Sequence, residues 1–286
     1  MTADKPPQPG SRKQRLDTIL VERGFFSSRS RAAAAVMAGQ VTVGGRKDLK
    51  AGSQVAPDAE IQVARSEGYV SRGGLKLERA FAEFDFDVAG RTALDAGAST
   101  GGFTDCLLRH GAAGVVAVDV GYGQLDWGLR GDRRVTVLER TNARYLTAGM
   151  LPYRPEVATL DLSFISLKKV LNAVIKCLSP GFEIVALVKP QFEAGRGQVG
   201  KGGVVREPEV HRRVLREVWD FAEASGCRVL GLTDSGVPGP SGNIEYLIHL
   251  REKGRTGPRG HEPDRDETID RVVGRLEEGL RGGRSG

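Results

Sequence analysis

The chain has 286 residues, of which 40% are hydrophobic and 27% are charged, and its formal net charge is +6. This composition is typical of a core-forming globular protein with one large or two modest domains. No apolar stretch approaches the roughly 20 residues that a membrane-spanning helix needs. The first residues, Met1 to Gly10, contain no apolar signal segment. We therefore expect a cytoplasmic protein with no membrane partner.

The cysteines and histidines argue against a disulfide framework and against a metal centre. Cys106, Cys177 and Cys227 lie far apart and form no C-x-x-C pair. We interpret them as free thiols in a reducing compartment. The four histidines show no clustered ligand spacing, so we expect no metal.

The positive charge is concentrated near the amino terminus. Residues 1–65 contain 11 lysines and arginines against 6 acidic residues, so the rest of the chain is nearly neutral. A small basic module in front of a neutral body indicates a polyanionic partner. The alternative is that these basic residues form a solvent-exposed face that binds no partner.

The first elements predict a small α+β domain over residues 15–64. Residues 1–14 are rich in proline, glycine and polar residues and are predicted to form a disordered amino terminus. Leu16, Ile19 and Leu20 recur at helical spacing, and the alanine-rich stretch before Gly39 predicts a second helix. Strands are predicted at residues 41–46, entering a hairpin turn, and at residues 60–63.

This arrangement resembles the RNA-binding domain first described in small-subunit ribosomal protein S-four and also found in pseudouridine synthases. The resemblance rests on Arg15-Leu16-Asp17, on Ser28-Arg29-Ser30-Arg31-Ala32 and on Gly39-Gln40-Val41-Thr42-Val43-Gly44-Gly45. It implies that basic side chains contact RNA phosphates and recognise shape more than sequence. The candidate RNA-binding residues are Arg12, Lys13, Arg15, Arg29, Arg31, Arg46, Lys47 and, in the next segment, Arg72.

The rest of the chain predicts a doubly wound α/β sheet. After a linker over residues 65–71, short apolar runs alternate with helical patterns over residues 72–252. A flexible tail follows over residues 253–286, in which apolar residues from Ile269 to Leu280 predict a helix over 266–281. The strands are predicted at Thr92–Leu94, Val115–Val118, Val135–Leu138, Val157–Leu160, Ile184–Val188, Val229–Leu232 and Ile244–Leu250.

The most specific local signal is the turn that follows the first of these strands. In Asp95-x-Gly97-x-x-x-Gly101 the glycines let backbone N–H groups approach a ligand, and the next helix presents its positive end there. Asp119 ends the next strand, about 20 residues further on, where an acidic residue binds ribose hydroxyls. The glycine spacing is not the dinucleotide pattern G-x-G-x-x-G, which disfavours a nicotinamide dehydrogenase.

This turn resembles the S-adenosylmethionine site of class I methyltransferases, which have a Rossmann-like doubly wound sheet. The resemblance implies that the glycines shape the loop around the methionine moiety and that Asp119 holds the adenosine ribose. Asp95 would hold the amino group through water, and Asn142 would face the adenine or be a plain loop residue. The candidate cofactor-binding residues are Asp95, Gly97, Ser99, Thr100, Gly101, Asp119 and Asn142.

Four charged residues lie at or near the ends of predicted strands. Asp161 and Lys189 each follow an apolar strand, Glu245 lies early in the last strand, and Lys76 precedes the first strand. Ligands bind beyond the carboxyl ends of the strands in such sheets. Any one of these residues could be an ordinary charge at the end of a strand. Together, however, the four predict one site.

Four motifs make the resemblance specific to a family. The sequence resembles the TlyA (hemolysin-A-like) family of FtsJ-like ribose 2′-O-methyltransferases at four motifs, Ser71–Leu77, Asp161–Leu167, Val188–Glu193 and Gly239–Tyr246. The resemblance spans residues 15–250. It implies an S-adenosyl-L-methionine cofactor, methylation of cytidine 2′-hydroxyls in ribosomal RNA of one or both subunits, and a catalytic tetrad. The tetrad falls on Lys76, Asp161, Lys189 and Glu245.

The chemistry of methyl transfer suits this tetrad. A ribose 2′-hydroxyl is a weak nucleophile, and holding it in line with the methyl donor supplies much of the acceleration. We expect Lys189 to accept the hydroxyl proton or to orient the oxygen lone pair, with Asp161 orienting Lys189. Lys76 and Glu245 would position the ribose.

The expected partner is ribosomal RNA or a ribosomal subunit, bound by a monomer. A pore-forming cytolysin is one alternative, which the lack of a long amphipathic strand array disfavours. A non-catalytic RNA-binding assembly factor is the other, which the complete tetrad and Asp119 disfavour. Binding of S-adenosylmethionine separates the enzyme from both.

Overall fold

The structure is a computed structural model that describes residues 13–26, 28–37, 39–47, 49–63, 68–239, 241–254 and 263–282. It divides into two units, Met1–Gly68 with Gly123–Gly131, and Tyr69–Tyr122 with Asp132–Gly286. Two predicted RNA-binding groups, Arg12 and the side chain of Arg31, lie outside the described part.

Each strand that the apolar patterns predict is present in the structure, and two short strands that they do not predict, β1 and β3, lie in the first unit. The described elements are β1 (Gln14–Arg15), α1 (Leu16–Glu22), α2 (Arg29–Met37), β2 (Val41–Val43), β3 (Gln54–Val55), β4 (Ile61–Val63), α3 (Arg72–Glu83), β5 (Thr92–Ala96), α4 (Gly102–Arg109), β6 (Gly114–Val118), α5 (Trp127–Arg130), β7 (Val135–Leu138), β8 (Val157–Leu160), α6 (Leu171–Cys177), β9 (Glu183–Val188), α7 (Pro190–Glu193), α8 (Pro208–Ala224), β10 (Cys227–Asp234), β11 (Tyr246–Glu252) and α9 (Arg265–Gly282).

The first unit is a small α+β domain with its own core. Leu16, Ile19 and Leu20 of α1 are buried against Ala32 of α2 and Val41 of β2. Strand β2 pairs antiparallel with β4, and β1 pairs antiparallel with β3. The sequence places residue 14 in the amino-terminal tail, but Gln14 belongs to β1. Its partner strand lies some 40 residues away, a pairing that no local pattern shows.

The second unit is built on one seven-stranded sheet, which confirms the predicted α/β body. The strand order is β10-β11-β9-β8-β5-β6-β7. Strands β9, β8, β5, β6 and β7 are parallel, whereas β11 pairs antiparallel with both β9 and β10. Strands β5, β6, β8 and β9 read as largely apolar runs because both of their faces are buried, whereas β7 at the edge of the sheet is half-buried.

This topology brings the predicted functional residues to one edge of the sheet. Asp119, Asp161 and Lys189 each follow directly on a parallel strand, at its carboxyl end. Glu245 precedes β11, which runs the other way and pairs Tyr246 with Val188. Because β11 is antiparallel, its amino end lies at the same edge as the carboxyl ends of its neighbours.

Helix α9 packs on the core of this unit. Its apolar residues Ile269, Val272 and Val273 are buried in the cluster formed by the sheet and α8. Ion pairs join α9 to α8, including Arg212 to Asp270 at 2.9 Å. None of the described helices is both long enough and apolar enough to cross a membrane.

We expect Ile269→Ala to lower the free energy of unfolding by about 2 to 5 kcal/mol, because it leaves a cavity where α9 enters the core. Arg271→Ala truncates an exposed side chain on the same helix, and should change stability by less than about 0.5 kcal/mol. Urea unfolding, followed by the fluorescence of the buried Trp219, measures both variants. Equal stability of the two variants would contradict the docking of α9.

Candidate active site

A cavity of about 200 Å³ opens beside the turn that follows β5. Its wall combines the glycine turn from Gly97 to Phe103 with Lys76 of α3, Asp161 and Pro238. Two larger cavities, of about 360 and 390 Å³, lie beside β10 and α9 and contain no residue of that turn. Of the predicted cofactor-binding and catalytic residues, the smaller cavity is lined by Lys76, Asp161, Gly97, Ser99 and Thr100, whereas Glu245 lines the cavity of about 390 Å³.

The turn needs its glycines for two different physical reasons. Gly97 and Gly101 have φ angles of +89° and +95°, in the left-handed region that favours glycine. In addition, a Cβ atom on Gly97 would collide with the backbone oxygen of Asp161. The turn can therefore lie against the end of β8, and Gly101 is placed to cap α4.

Asp119 stands next to this turn and is held by backbone groups. One carboxylate oxygen accepts the N–H of Ser99 at 2.8 Å, and the other accepts the N–H of Gly121 at 2.6 Å. Each carboxylate oxygen can accept a second hydrogen bond, so the group can still bind a diol. Asn142 is exposed and caps a short 3-10 turn by accepting the Arg144 N–H at 3.0 Å. Its contact with adenine stays a prediction.

Asp95 lies in the core at the end of β5. Its side chain is fully buried and does not line the cavity. Its two oxygens accept the hydroxyls of Thr104 at 2.6 Å and Thr159 at 3.2 Å. Burial raises the pKa of Asp95 to about 7. These hydrogen bonds fix the carboxylate in the core, and its contact with the cofactor amino group through water stays a prediction.

The tetrad forms two ion pairs of lysine with carboxylate. Lys189 Nζ lies 2.5 Å from Asp161 Oδ1, and Lys76 Nζ lies 2.5 Å from Glu245 Oε2. Both lysines are 7% exposed and Glu245 is 1% exposed. Lysines this deeply buried are rare unless they are paired, and each pair joins residues from different elements. The structure thus places two amines and two carboxylates beside the glycine turn.

Comparison with known proteins decides the family. Residues 69–252 match the FtsJ-like methyltransferase family, and residues 14–61 match the S4 domain. The chain belongs to the FtsJ-like methyltransferase family. Its small first unit contains the S4 domain that the sequence predicts.

Several relatives of this methyltransferase match over most of their length. The 16S/23S rRNA (cytidine-2′-O)-methyltransferase TlyA of Mycobacterium tuberculosis is 49% identical, over 84% of this chain and 91% of its own. Hemolysin A of Brachyspira hyodysenteriae is 42% identical, over 82% of this chain and 99% of its own. A solved structure named as a hemolysin, from Streptococcus thermophilus, has a TM-score of 0.71 and 41% identity and covers 97% of this chain and 100% of its own.

Two polar residues that the sequence did not single out contact the tetrad of the methyltransferase. Lys189 Nζ donates to Ser163 Oγ at 3.1 Å. Gln191 Nε2 donates to Glu245 Oε1 at 3.1 Å. Both residues lie in the motifs quoted above, but a single hydroxyl or amide in a loop carries no spacing signal of its own.

Phe164 is the other residue that the sequence did not single out. It is 91% exposed and adopts a φ of +62°, which is strained for a bulky side chain. Its ring lies 5.2 Å from the ring of Phe192, which in turn lies 5.9 Å from Lys189 Nζ. Phe164 is therefore a large exposed aromatic in a strained loop, three residues after Asp161.

In the S4 domain, a buried carboxylate organises two of the predicted RNA-binding arginines. Asp17 accepts bidentate hydrogen bonds from Arg15 at 2.7 and 3.0 Å and one from Arg29 at 3.2 Å. The pKa of Asp17 is held well below its usual range by these arginines. Both guanidinium groups remain about half exposed. Lys13, Arg46 and Lys47 are exposed on the same domain, and Arg72 is exposed at the start of α3.

One group of side chains in the described residues has the composition of a metal site. Glu78, Cys106 and His110 bring their ligand atoms within 4.8 Å of one another. Burial raises the pKa of the Cys106 thiol to about 12, and a protonated thiol is a poor ligand. His110 lies 2.9 Å from the Glu78 carboxylate, which also accepts the hydroxyl of Tyr69. We interpret the group as a hydrogen-bonded cluster between α3 and α4.

We expect Asp95→Asn to flatten the dependence of stability on pH. The pKa of Asp95 is about 7 in the folded chain, against about 3.9 in an unfolded one. The native state therefore binds the extra proton, and its stabilisation is complete below pH 4 and is lost as the pH rises through 7. The native chain should lose up to about 4 kcal/mol over this window.

Urea unfolding between pH 4 and pH 8 measures the difference between the two proteins. Asp85→Asn, at an exposed position, serves as the matched control and should follow the native profile. Parallel profiles for Asp95→Asn and the native chain would show that Asp95 keeps an ordinary pKa.

Proposed function

We propose that this chain is an S-adenosylmethionine-dependent rRNA (cytidine-2′-O)-methyltransferase. The observation that carries the proposal is the pairing of Lys189 with Asp161 and of Lys76 with Glu245 beside one cavity and one glycine turn. The name of the M. tuberculosis relative supports cytidine in ribosomal RNA as the substrate. A cytoplasmic location follows from such a substrate.

The residues around the turn fit S-adenosylmethionine as the methyl donor. Gly97 lines the cavity in a turn that packs directly on the backbone of Asp161, and the Asp119 carboxylate retains capacity for the two ribose hydroxyls. Gly101, Ser99 and Thr100 would shape the site around the methionine part, and Asn142 would face the adenine. When bound, this cofactor supplies a methyl group on a positively charged sulfur.

Lys189 orients the hydroxyl that receives the methyl group. An ammonium group has three N–H donors, and the contacts with Asp161 and Ser163 use two of them. The third N–H is available to donate a hydrogen bond to the ribose 2′ oxygen. The methyl group passes from sulfur to the 2′ oxygen, and the proton that the hydroxyl loses goes to the Asp161 carboxylate, because an ammonium that donates three N–H groups cannot accept it. Lys76 lines the same cavity and would hold the ribose, with Glu245 paired to it.

RNA is held by charge and by stacking. The S4 domain presents Arg15 and Arg29 in fixed orientations, which suits phosphate groups. Phe164 offers a flat exposed ring next to Phe192, which itself lies beside Lys189, and a base of single-stranded or unpaired RNA can stack there. The first predicted domain, residues 15–64, would bind RNA through charge, and the second, residues 72–252, would bind it through stacking.

We expect Lys189→Ala to abolish methyl transfer, with a loss of at least about 100-fold, while cofactor binding survives. The reason is that Lys189 contacts the hydroxyl and not the donor. The measurements are transfer of labelled methyl groups from S-adenosylmethionine to rRNA of a deletion strain, mapped to the ribose, and calorimetric cofactor binding. Lys176→Ala, on the exposed face of α6, is the control. Near-normal turnover in Lys189→Ala, or methylation of bases instead of ribose by the native chain, would refute the proposal.

We expect Phe164→Ala to raise the KM for rRNA by about 5- to 100-fold, because stacking of one base contributes roughly 1 to 3 kcal/mol. Phe164→Tyr keeps the ring and should retain most of the affinity. Steady-state kinetics with varied rRNA measures both, with cofactor binding as a check on the fold. An unchanged KM in the alanine variant would exclude Phe164 from the RNA surface.

A further inference from the structure

We propose that Glu193 is a positioning residue of this reaction, which locks the loop after Asp161 so that Asp161 and Ser163 both face Lys189. The inference rests on the proposed methyl transfer. Glu193 belongs to none of the predicted site residues and touches neither the cavity nor a lysine of the tetrad. Its effect would pass entirely through the loop.

Glu193 joins the two segments that carry the Lys189–Asp161 pair. It is the last residue of α7, the short helix that begins directly after Lys189. One carboxylate oxygen accepts the hydroxyl of Ser166 at 2.6 Å, and the other accepts the N–H of Leu167 at 2.5 Å. Ser166 itself caps the 3-10 turn Leu167–Lys169. Glu193 therefore closes the far end of the loop over residues 161–166.

The near end of this loop is held by the sheet. The N–H of Asp161 donates to the Ala96 oxygen at 3.0 Å, which continues the pairing of β8 with β5. Between these two anchors, Phe164 has a backbone geometry that costs on the order of 1 to 3 kcal/mol and persists only where the surroundings impose it. Losing one anchor would let the loop relax.

Relaxation of the loop would act on Lys189 through Ser163. The Ser163 hydroxyl accepts one N–H of Lys189 at 3.1 Å. While this contact and the Asp161 contact are both present, the third N–H of the ammonium has a fixed direction. If Ser163 moves away, the ammonium can rotate about its bond, and the 2′-hydroxyl loses its alignment with the methyl donor.

A carboxylate suits this position because two donors converge on it. Its two oxygens accept the Ser166 hydroxyl and the Leu167 N–H at the same time, whereas an amide side chain offers a single acceptor oxygen. Burial raises the pKa of Glu193, and the two hydrogen bonds oppose that rise. Glu217 provides a natural comparison, because it binds Lys168 of the same 3-10 turn at 2.8 Å but does not close the loop.

The test compares Glu193→Ala and Glu193→Gln with the control Glu217→Ala in the full chain. We expect kcat for rRNA methylation to fall at least about tenfold in Glu193→Ala and less in Glu193→Gln, with the KM for S-adenosylmethionine within about threefold of native. Glu217→Ala should stay within about twofold. A native kcat in Glu193→Ala, or an equal loss in Glu217→Ala, would overturn the inference.

A double-mutant cycle identifies the path. If Glu193 acts through Ser163, then Ser163→Ala and Glu193→Ala together should lower kcat about as much as the larger single change. Additive effects would overturn that path, and thermal unfolding identifies a variant that merely fails to fold, in which case Glu193→Gln carries the test. An inactive native chain that binds no S-adenosylmethionine would refute the proposed function itself. An active native chain with a fully active Glu193→Ala would refute only the inference.

Discussion

The active site is organised around two lysine ammonium groups that are almost completely shielded from water. Lys76 and Lys189 are nearly buried, and each is held 2.5 Å from a carboxylate. Removing one partner of such a pair leaves an uncompensated buried charge, which costs several kcal/mol. Each lysine is thereby confined to one position, and this confinement is what a reaction that depends on alignment needs.

The partners of these lysines come from the topology of the sheet. Asp161 reaches Lys189 because parallel strands β8 and β9 end side by side. Glu245 reaches Lys76 only because β11 is reversed, so that a residue before a strand lies level with residues after its neighbours. The same edge carries the glycine turn, whose close approach to Asp161 requires the absence of a side chain at Gly97. A single sheet edge thus serves both the proposed donor and the proposed acceptor.

One loop near this edge of the sheet is anchored by hydrogen bonds to buried side chains. The segment after the turn of residues 200–203 is fixed at Val205, whose N–H donates to Asn243 at 3.0 Å and whose oxygen lies 3.1 Å from His211. His211 also contacts Tyr246, the first residue of β11, at 2.7 Å. Buried side chains therefore tie this segment to the start of β11, next to Glu245.

The sequence by itself determined the elements and the chemistry, because strands, glycine turns and strand-end charges leave local patterns. It gave the α/β body, the S4 domain and the residues of the tetrad as candidates. Only the tertiary structure decided which residues meet: Lys76 and Glu245 are 169 residues apart, and their contact depends on the strand order. It also decided burial, which placed Asp95 in the core and left Phe164 in solvent. Pairing and burial are properties of the packed chain, and no local spacing records them.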